Sequence, residues 1–453
     1  MTSLPGPRGL ANLEMTRSFL SDPTPALEAA REYGPVCAFG MRPMRMVTVG
    51  DPELIQRLLT MKAENFRWGH FVQRIGPAFV VGRSSMLASD GADHKRRRGS
   101  VQKGFARPRL NRWIPTIVER TDAQLEAITT SLDDGTRRRD LYSDAREIII
   151  GITVNALFGE QTAARSREIG ERFRRPQAFI EQSAVRQLPH PLPWGKRPQV
   201  RRDRRSLHAI VDAEIARRRQ QPSGDPYDVL EAIVTDATLT DDEIRDQVLT
   251  LIGAGYDTTA ATFAWLLWST VLTSGVWERL RIEADRVLRG DVENLGPDAL
   301  AQLEFAGRCV RESLRLHPAG VVGVRQAVAD VELGEYTIPA GAMVAWSPYL
   351  AGRDPAVWRD PLAFDPDRHL DHSLEQATMT EQAWVPFGRG PHMCIGFALA
   401  QMELTLMISR FAQRLDLTAT APTAPRPTGL IVNRPTGGAP FDVQTRAPST
   451  ANA

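Results

Sequence analysis

Phe387-Gly388-Arg389-Gly390-Pro391-His392-Met393-Cys394-Ile395-Gly396 is the stretch on which the reading of this chain turns. Three glycines and a proline bracket one cysteine. An apolar run follows at Phe397, Ala398, Leu399, Ala400, Met402, Leu404 and Leu406, with the spacing of a buried helix. Cys394 therefore sits in a tight loop that feeds a helix N-terminus, where unpaired N–H groups and the helix dipole favour negative sulfur. Gly388, Gly390 and Gly396 permit turns that a Cβ would forbid and let a flat ligand approach closely. Phe387 is placed to shield the sulfur from water. A single cysteine sulfur beside a flat ligand points to haem iron held by thiolate. A lone cysteine is ordinarily a small buried hydrophobe, but the glycines, Phe387 and His392 at fixed offsets reverse that reading. No second cysteine lies nearby to complete a zinc site.

As F-G-x-G-x-H-x-C-x-G, the stretch resembles the haem-binding loop of the cytochrome P-450 family at every fixed position. The resemblance implies a mainly α fold with a smaller β-rich lobe (α+β). Haem b would lie between a long distal helix and the proximal helix after the cysteine loop, with Cys394 as thiolate ligand and Phe387 and Gly388 in the cofactor-binding loop. It implies one haem domain over residues 1–453 with no fused reductase. The β-rich lobe would come from about 1–60, 320–350 and 425–445, and the helical lobe from 90–320 and 380–415.

Composition agrees. The chain has 453 residues and a net charge of +2, which argues against general nucleic-acid binding. Cys37, Cys309 and Cys394 are odd in number and far apart, so no disulfide framework is expected and a reducing cytoplasm fits. The polar, proline-rich Met1–Pro7 lacks the basic start and apolar core of a signal peptide. The most apolar long window, Val248–Leu272, carries Asp257 and three threonines near its centre, which is costly in a membrane. It reads as a core helix, with no integral membrane anchor.

Taken in order, Pro25–Tyr33 and Pro52–Leu59 read as helices, and Val36–Phe39 with Met46–Val49 as a hairpin. Residues 66–90 lack periodicity yet carry Trp68, Phe71, Phe79, Val80 and Val81. They form either a lid over an apolar pocket or an ordinarily packed long loop. His94 and Arg98 share one helix face. As charges alone they read as a solvated face, whereas the family would place them on haem propionates. Leu188–Gly195 breaks two helices with prolines and by resemblance is the loop over the substrate entrance. Arg201–Arg219 reads as an amphipathic helix, and Ser223–Tyr227 as a linker.

Ala254-Gly255-Tyr256-Asp257-Thr258-Thr259 places poor helix formers at a helix centre. Ala254 and Gly255 remove bulk and leave a groove, and the Thr258 hydroxyl can reach the carbonyl four residues back. A groove beside a hydroxyl and a carboxylate suits bound dioxygen and its proton supply. By resemblance Thr258 would hold the oxygen species and Asp257 would relay protons. The alternative is a helix kink with a buried, paired Asp. Glu312 and Arg315 share a helix face and can pair. The family would join Arg368 to them as a structural network on the thiolate side. It also assigns Arg325 and His392 to the propionates. Val321–Val324 reads as a strand passing the pocket, Leu430–Val432 as an apolar hairpin with Ile431 and Val432 at the substrate, and the tail after Gly438 as frayed. With Phe71, Phe79, Val80 and Val321, these residues would line the pocket.

The implied activity is monooxygenation: one atom of O2 enters an apolar small molecule, such as a terpenoid, steroid, fatty acid or polyketide, by hydroxylation or epoxidation. The sequence contains no G-x-G-x-x-G dinucleotide unit or cluster of cysteines. Electrons would therefore come from NAD(P)H through a ferredoxin or flavodoxin and its reductase. The alternatives are a peroxide-driven enzyme, against which the Asp257–Thr258 pair argues, a coupling or desaturating variant, and a non-catalytic haem gas sensor.

Overall fold

Residues that are apolar all the way round force one helix into the centre of this protein. In the computed structural model it runs over Asp241–Leu272, and Ala260, Ala261 and Phe263–Leu267 have no exposed surface. Each large side chain buried there contributes about 1.5–3 kcal/mol. The structure describes all of the chain except residues 1–3, 42–44, 69–75, 134–136, 160, 161, 163, 188–195, 223–227, 291–294, 371–373 and 447–453.

The long helix starts earlier than its apolar run. The Thr240 hydroxyl accepts from the Glu243 amide while the Glu243 carboxylate takes the Thr240 amide, and Asp241, Asp242 and Glu243 suit the positive end of the dipole. Hydropathy alone hid this polar first turn. Around the helix pack Leu141–Phe158, Ser166–Ile180, Lys196–Gln220, Glu304–Leu316 and Phe397–Arg414. Among the described residues no helix is long and apolar enough to cross a membrane.

The smaller lobe is a five-stranded sheet. Strands β1 (Val36–Phe39), β2 (Met46–Val49), β3 (Phe66–Arg67), β4 (Gly323–Ala327) and β5 (Met343–Trp346) lie in the order β1-β2-β5-β4-β3. The β1–β2 hairpin is antiparallel and pairs Val36 with Val49, and β2 runs parallel to β5. Two apolar clusters cover the sheet, one including Val36, Val47, Ile55 and Leu58, the other Phe19, Leu27, Phe39 and Tyr349.

The expected strand at Val321–Val324 lies two residues later, at Gly323–Ala327. The bare Gly323 is what lets the Trp346 indole lie where a Cβ would come within 2.3 Å. The opening proline-rich segment holds an unforeseen helix, Gly9–Phe19, which buries Met15 and Phe19. The expectation of a frayed tail after Gly438 is overturned. Pro440–Thr445 is the middle strand of a three-stranded antiparallel sheet, flanked by Arg138–Asp140 and Leu415–Ala419, with Phe441 and Val443 buried. A two-fold alternation of three short apolar positions was too brief to announce it.

Candidate functional site

Inside the long helix, Ala254 is exposed and Thr258 half-exposed, although Ile252, Tyr256, Asp257 and Thr259 around them are buried. Residues four apart share a face, so one stripe of a central helix borders open space. The Thr258 hydroxyl donates to the Ala254 carbonyl at 2.5 Å, which leaves its oxygen lone pairs facing the groove. The neighbouring glycines serve packing. A Cβ on Gly253 would come within 2.8 Å of Phe173, and one on Gly255 would touch Thr153 at 3.6 Å. Bulk is thus missing at Ala254 for the groove and at Gly253 for the neighbouring helix.

Asp257 lies on another side of the helix and has no exposed surface. Its Oδ1 accepts from the Tyr142 hydroxyl at 2.7 Å and from Arg146 Nε and Nη2 at 2.9 and 2.6 Å, and Arg434 Nη2 stands 3.5 Å from its Oδ2. Burial, with the adjacent Asp257 charge, pushes the Tyr142 hydroxyl well above its ordinary pKa, so it stays a donor. The partners come from positions far away in sequence and carried no signal there.

Cys394 follows a one-turn 3-10 helix, Gly390–His392, and its amide donates to the Phe387 carbonyl at 2.9 Å. Gly388 and Gly390 have φ of +68° and +74°, where a Cβ is strained. The cysteine side chain is open to solvent, yet dense protein surrounds it, which together describe a cleft wall. Burial raises its thiol pKa, against the pull of the Gly396 amide and the Arg98 charge. The helix terminus therefore does not ionise the sulfur unaided; a coordinated metal ion deprotonates a thiol outright. Phe387 is half-buried and meets Trp384 and Phe397 edge-on, with centroids 5.9 and 6.3 Å away.

Four basic side chains gather beside this loop. The His94 and His392 rings stack at 3.7 Å, and Trp68 stacks on the other face of His392 at 3.9 Å. Arg325 is buried, donates one hydrogen bond to the Leu58 carbonyl at 3.2 Å, and lies over the Phe66 ring at 4.9 Å; its Nε is buried with no partner. Arg98 is close enough to feel Cys394 electrostatically. Burial, reinforced by Arg98, depresses the His94 pKa to about 4; burial, with His94, Arg325 and Arg98, depresses His392 to about 3. Burial also lowers Arg325 to about 10. Among the described residues neither Arg98 nor Arg325 has a carboxylate partner. A cationic cradle with an orphaned buried N–H suits an anion. These residues fit a haem: the cationic cradle would hold its two carboxylates, and the Cys394 sulfur would ligate its iron.

Behind the cysteine loop, Glu312 takes two hydrogen bonds from Arg315, both at 2.8 Å, one from Arg368 at 2.7 Å and one from the Asp365 amide at 3.0 Å. His369 Nε2 adds a contact at 2.9 Å that the sequence reading missed, although it adjoins Arg368. Burial alone would raise the Glu312 pKa, but Arg315, His369 and Arg368 together hold it down to about 2. The network reaches the cysteine loop through Trp384, which donates to the Arg311 carbonyl at 3.0 Å and abuts Phe387.

The expected pocket residues are dispersed. Phe71 and the Leu188–Gly195 loop lie outside the described residues, as does the Ser223–Tyr227 linker. Phe79 packs on Phe179 at 5.5 Å under the Arg197 guanidinium. Val80 and Val432 are buried in the main core, Val321 in the Phe39–Tyr349 cluster, and Ile431 is 44% exposed. A separate groove of about 420 Å³ between Val271 and Pro422 holds no titratable side chain.

Comparison with known proteins adds an independent line. The family model described as Cytochrome P450 matches residues 25–438. Cytochrome P450 139 of Mycobacterium tuberculosis is 30% identical over 87% of this chain and 91% of its own. Cyclooctatin synthase of Streptomyces melanosporofaciens is 28% identical over 89% of this chain and 88% of its own, and pentalenene oxygenase of Streptomyces avermitilis is 27% identical over 84% and 83%. Among solved structures, the retinoic acid-bound cyanobacterial CYP120A1 superposes with a TM-score of 0.85 over 98% of this chain and all of the other, at 22% identity.

Proposed function

Because this chain belongs to the cytochrome P450 family, and its members are haem-thiolate monooxygenases, we propose that Cys394 is the residue that ligates the iron. The single observation that supports this best is its sulfur, open on a cleft wall beside a cationic cradle whose Arg98 and Arg325 have no carboxylate partner among the described residues. When bound, the haem thiolate supplies the activation of O2 that sends one oxygen atom to substrate and the other to water.

This chain's residues then divide the remaining work. His94, Arg98, Arg325 and His392 would hold the propionates, the two arginines as cations and the two imidazoles as hydrogen-bonding groups. Phe387 and Gly388 shape the loop, and Ala254 keeps the distal groove open. Thr258 would accept a hydrogen bond from water in that groove while its own O–H donates to the Ala254 carbonyl. Asp257 keeps one oxygen, Oδ2, outside its hydrogen-bond set and so able to pass a proton. Glu312, Arg315 and Arg368 hold the segment that supports the cysteine loop.

We place the substrate among apolar molecules, a terpenoid ahead of a steroid, fatty acid or polyketide, since relatives are named for cyclooctat-9-en-7-ol and pentalenene. Electrons would reach the haem from NAD(P)H through a ferredoxin or flavodoxin and its reductase. Purified protein loaded with hemin is expected to give the ferrous-CO band of a thiolate haem, and Cys394→Ser to abolish it. A wild-type band of the histidine-ligated kind would overturn the assignment. A screen for the type I spectral shift across a terpenoid panel then tests the substrate class.

A further inference from the structure

Glu181 closes the helix Ser166–Ile180, and its carboxylate does something unusual for a helix end. Its Oε2 accepts from the amides of Leu430 and Ile431 at 3.2 and 3.3 Å, and its Oε1 from the amide of Val432 at 3.1 Å. Three successive N–H groups converging on one anion form a concave nest. Gly429 makes the bend possible. Its φ is +123°, and a Cβ there would lie 2.1 Å from the Val432 carbonyl oxygen and 3.5 Å from Glu181 Oε2. Arg434, on the returning strand of the same hairpin, brings Nη2 to 2.9 Å from Glu181 Oε2.

The other side of Arg434 faces the long helix. The same Nη2 that pairs with Glu181 stands 3.5 Å from Asp257 Oδ2, which is buried and accepts no hydrogen bond. At that separation the attraction is coulombic, and a small displacement of Arg434 changes it substantially in a low-dielectric interior. The hairpin is anchored one residue earlier, where the Asn433 carbonyl accepts from Trp265 and the Asn433 amide donates to the Ala319 carbonyl at 2.7 Å. Residues 430–432 thus hang between a fixed point at Asn433 and the carboxylate of Glu181.

We infer that Glu181 is a positioning residue that couples the end of the Ser166–Ile180 helix both to the hairpin tip bearing Ile431 and, through Arg434, to Asp257. When that helix end shifts, the three amides and Arg434 shift with it. The wall offered by Ile431 and the charge environment of Asp257 then change together. A neutral side chain cannot substitute: a carboxamide would turn its own N–H groups toward either the three amides or the guanidinium. The inference rests on reading Asp257 and Ile431 as parts of the active site.

The test uses hemin-loaded full-length protein, wild type, Glu181→Gln, Glu181→Asp and each in an Asp257→Asn background. Two readouts need no substrate: amide hydrogen exchange at residues 430–432, and the infrared C–O stretch of the ferrous-CO form, which reports the polar surroundings of the distal groove. Glu181→Gln is expected to speed exchange at the three amides at least tenfold and to shift the C–O stretch, with the ferrous-CO absorption band retained. Glu181→Asp restores most of both effects, because the anion remains. In the Asp257→Asn background Glu181→Gln adds no further C–O shift, since the two act through one contact. Faster exchange with an unmoved C–O stretch would reduce Glu181 to a structural clamp and overturn the coupling, as would a full additional shift in the double variant. Loss of the thiolate band in wild type would instead sink the underlying assignment of Cys394.

Discussion

A carboxylate with no exposed surface is either paired or protonated, and Glu312 is paired four ways. Glu312→Gln leaves the fully buried Arg315 and the nearly buried Arg368 facing a neutral group. Chemical denaturation is expected to show a loss of about 3–5 kcal/mol, the cost of stranding a buried charge. The variant should also load haem poorly, because the segment supporting the cysteine loop loosens. Thr258 acts on the reaction itself. Its hydroxyl is the one polar side-chain group on the open stripe between Ala254 and Thr258. Thr258→Ala is expected to divert NAD(P)H electrons to peroxide and water, with product per NAD(P)H falling roughly a hundredfold, the lower end of what one proton-handling group contributes. Unchanged coupling with a surrogate ferredoxin and reductase would count against that role.

Between elements, contact is settled by which residue lacks a side chain. Gly82 ends the short helix Pro77–Val81 with φ of +101°, and a Cβ there would lie 1.8 Å from Asp246 Oδ1. Asp246 in turn takes the Ser84 amide at 2.9 Å and pairs with Arg204. This joins the segment before His94 to the long helix and to the helix Lys196–Gln220. Gly82→Ala must strain the backbone and displace Asp246 together. A loss of roughly 3 kcal/mol or more is expected in urea unfolding, well above the usual cost of a point substitution.

For the molecule as a whole, two buried carboxylates set opposite slopes of stability against pH. Glu312 has a folded pKa of about 2, below the ordinary glutamate value of 4.5. Its stabilising contribution is present above pH 4.5 and is lost as pH falls toward 2. Glu403, buried in the helix Phe397–Arg414, has no hydrogen bond or ion pair among the described residues, and burial raises its pKa from 4.5 to about 8. For this group folding is favoured below pH 4.5, and that advantage is lost as pH rises through 8. Glu403→Gln mimics the protonated form. It is expected to match wild type below pH 4.5 and to exceed it by roughly 3 kcal/mol at pH 7, the linkage expected for a shift of this size. Urea midpoints across pH 4–9 measure the difference; a constant offset would refute the assignment.

Local rules were enough to expose much of this protein. A loop rich in glycine around Cys394, an apolar run with misplaced polar residues at Asp257 and Thr258, and paired charges at Glu312 and Arg315 are all short-range patterns, readable because helix period and glycine permissiveness act within a few residues. They delivered the α-rich architecture, the family and the candidate residues. Folding alone could show that Asp257 leans on Tyr142, Arg146 and Arg434, that His369 completes the Glu312 network, that Trp68 stacks on His392, and that one carboxylate at 181 gathers three amides of a distant hairpin. These partners are separated by tens to hundreds of residues, and electrostatic pairing depends on distance in space, to which order along the chain gives no access.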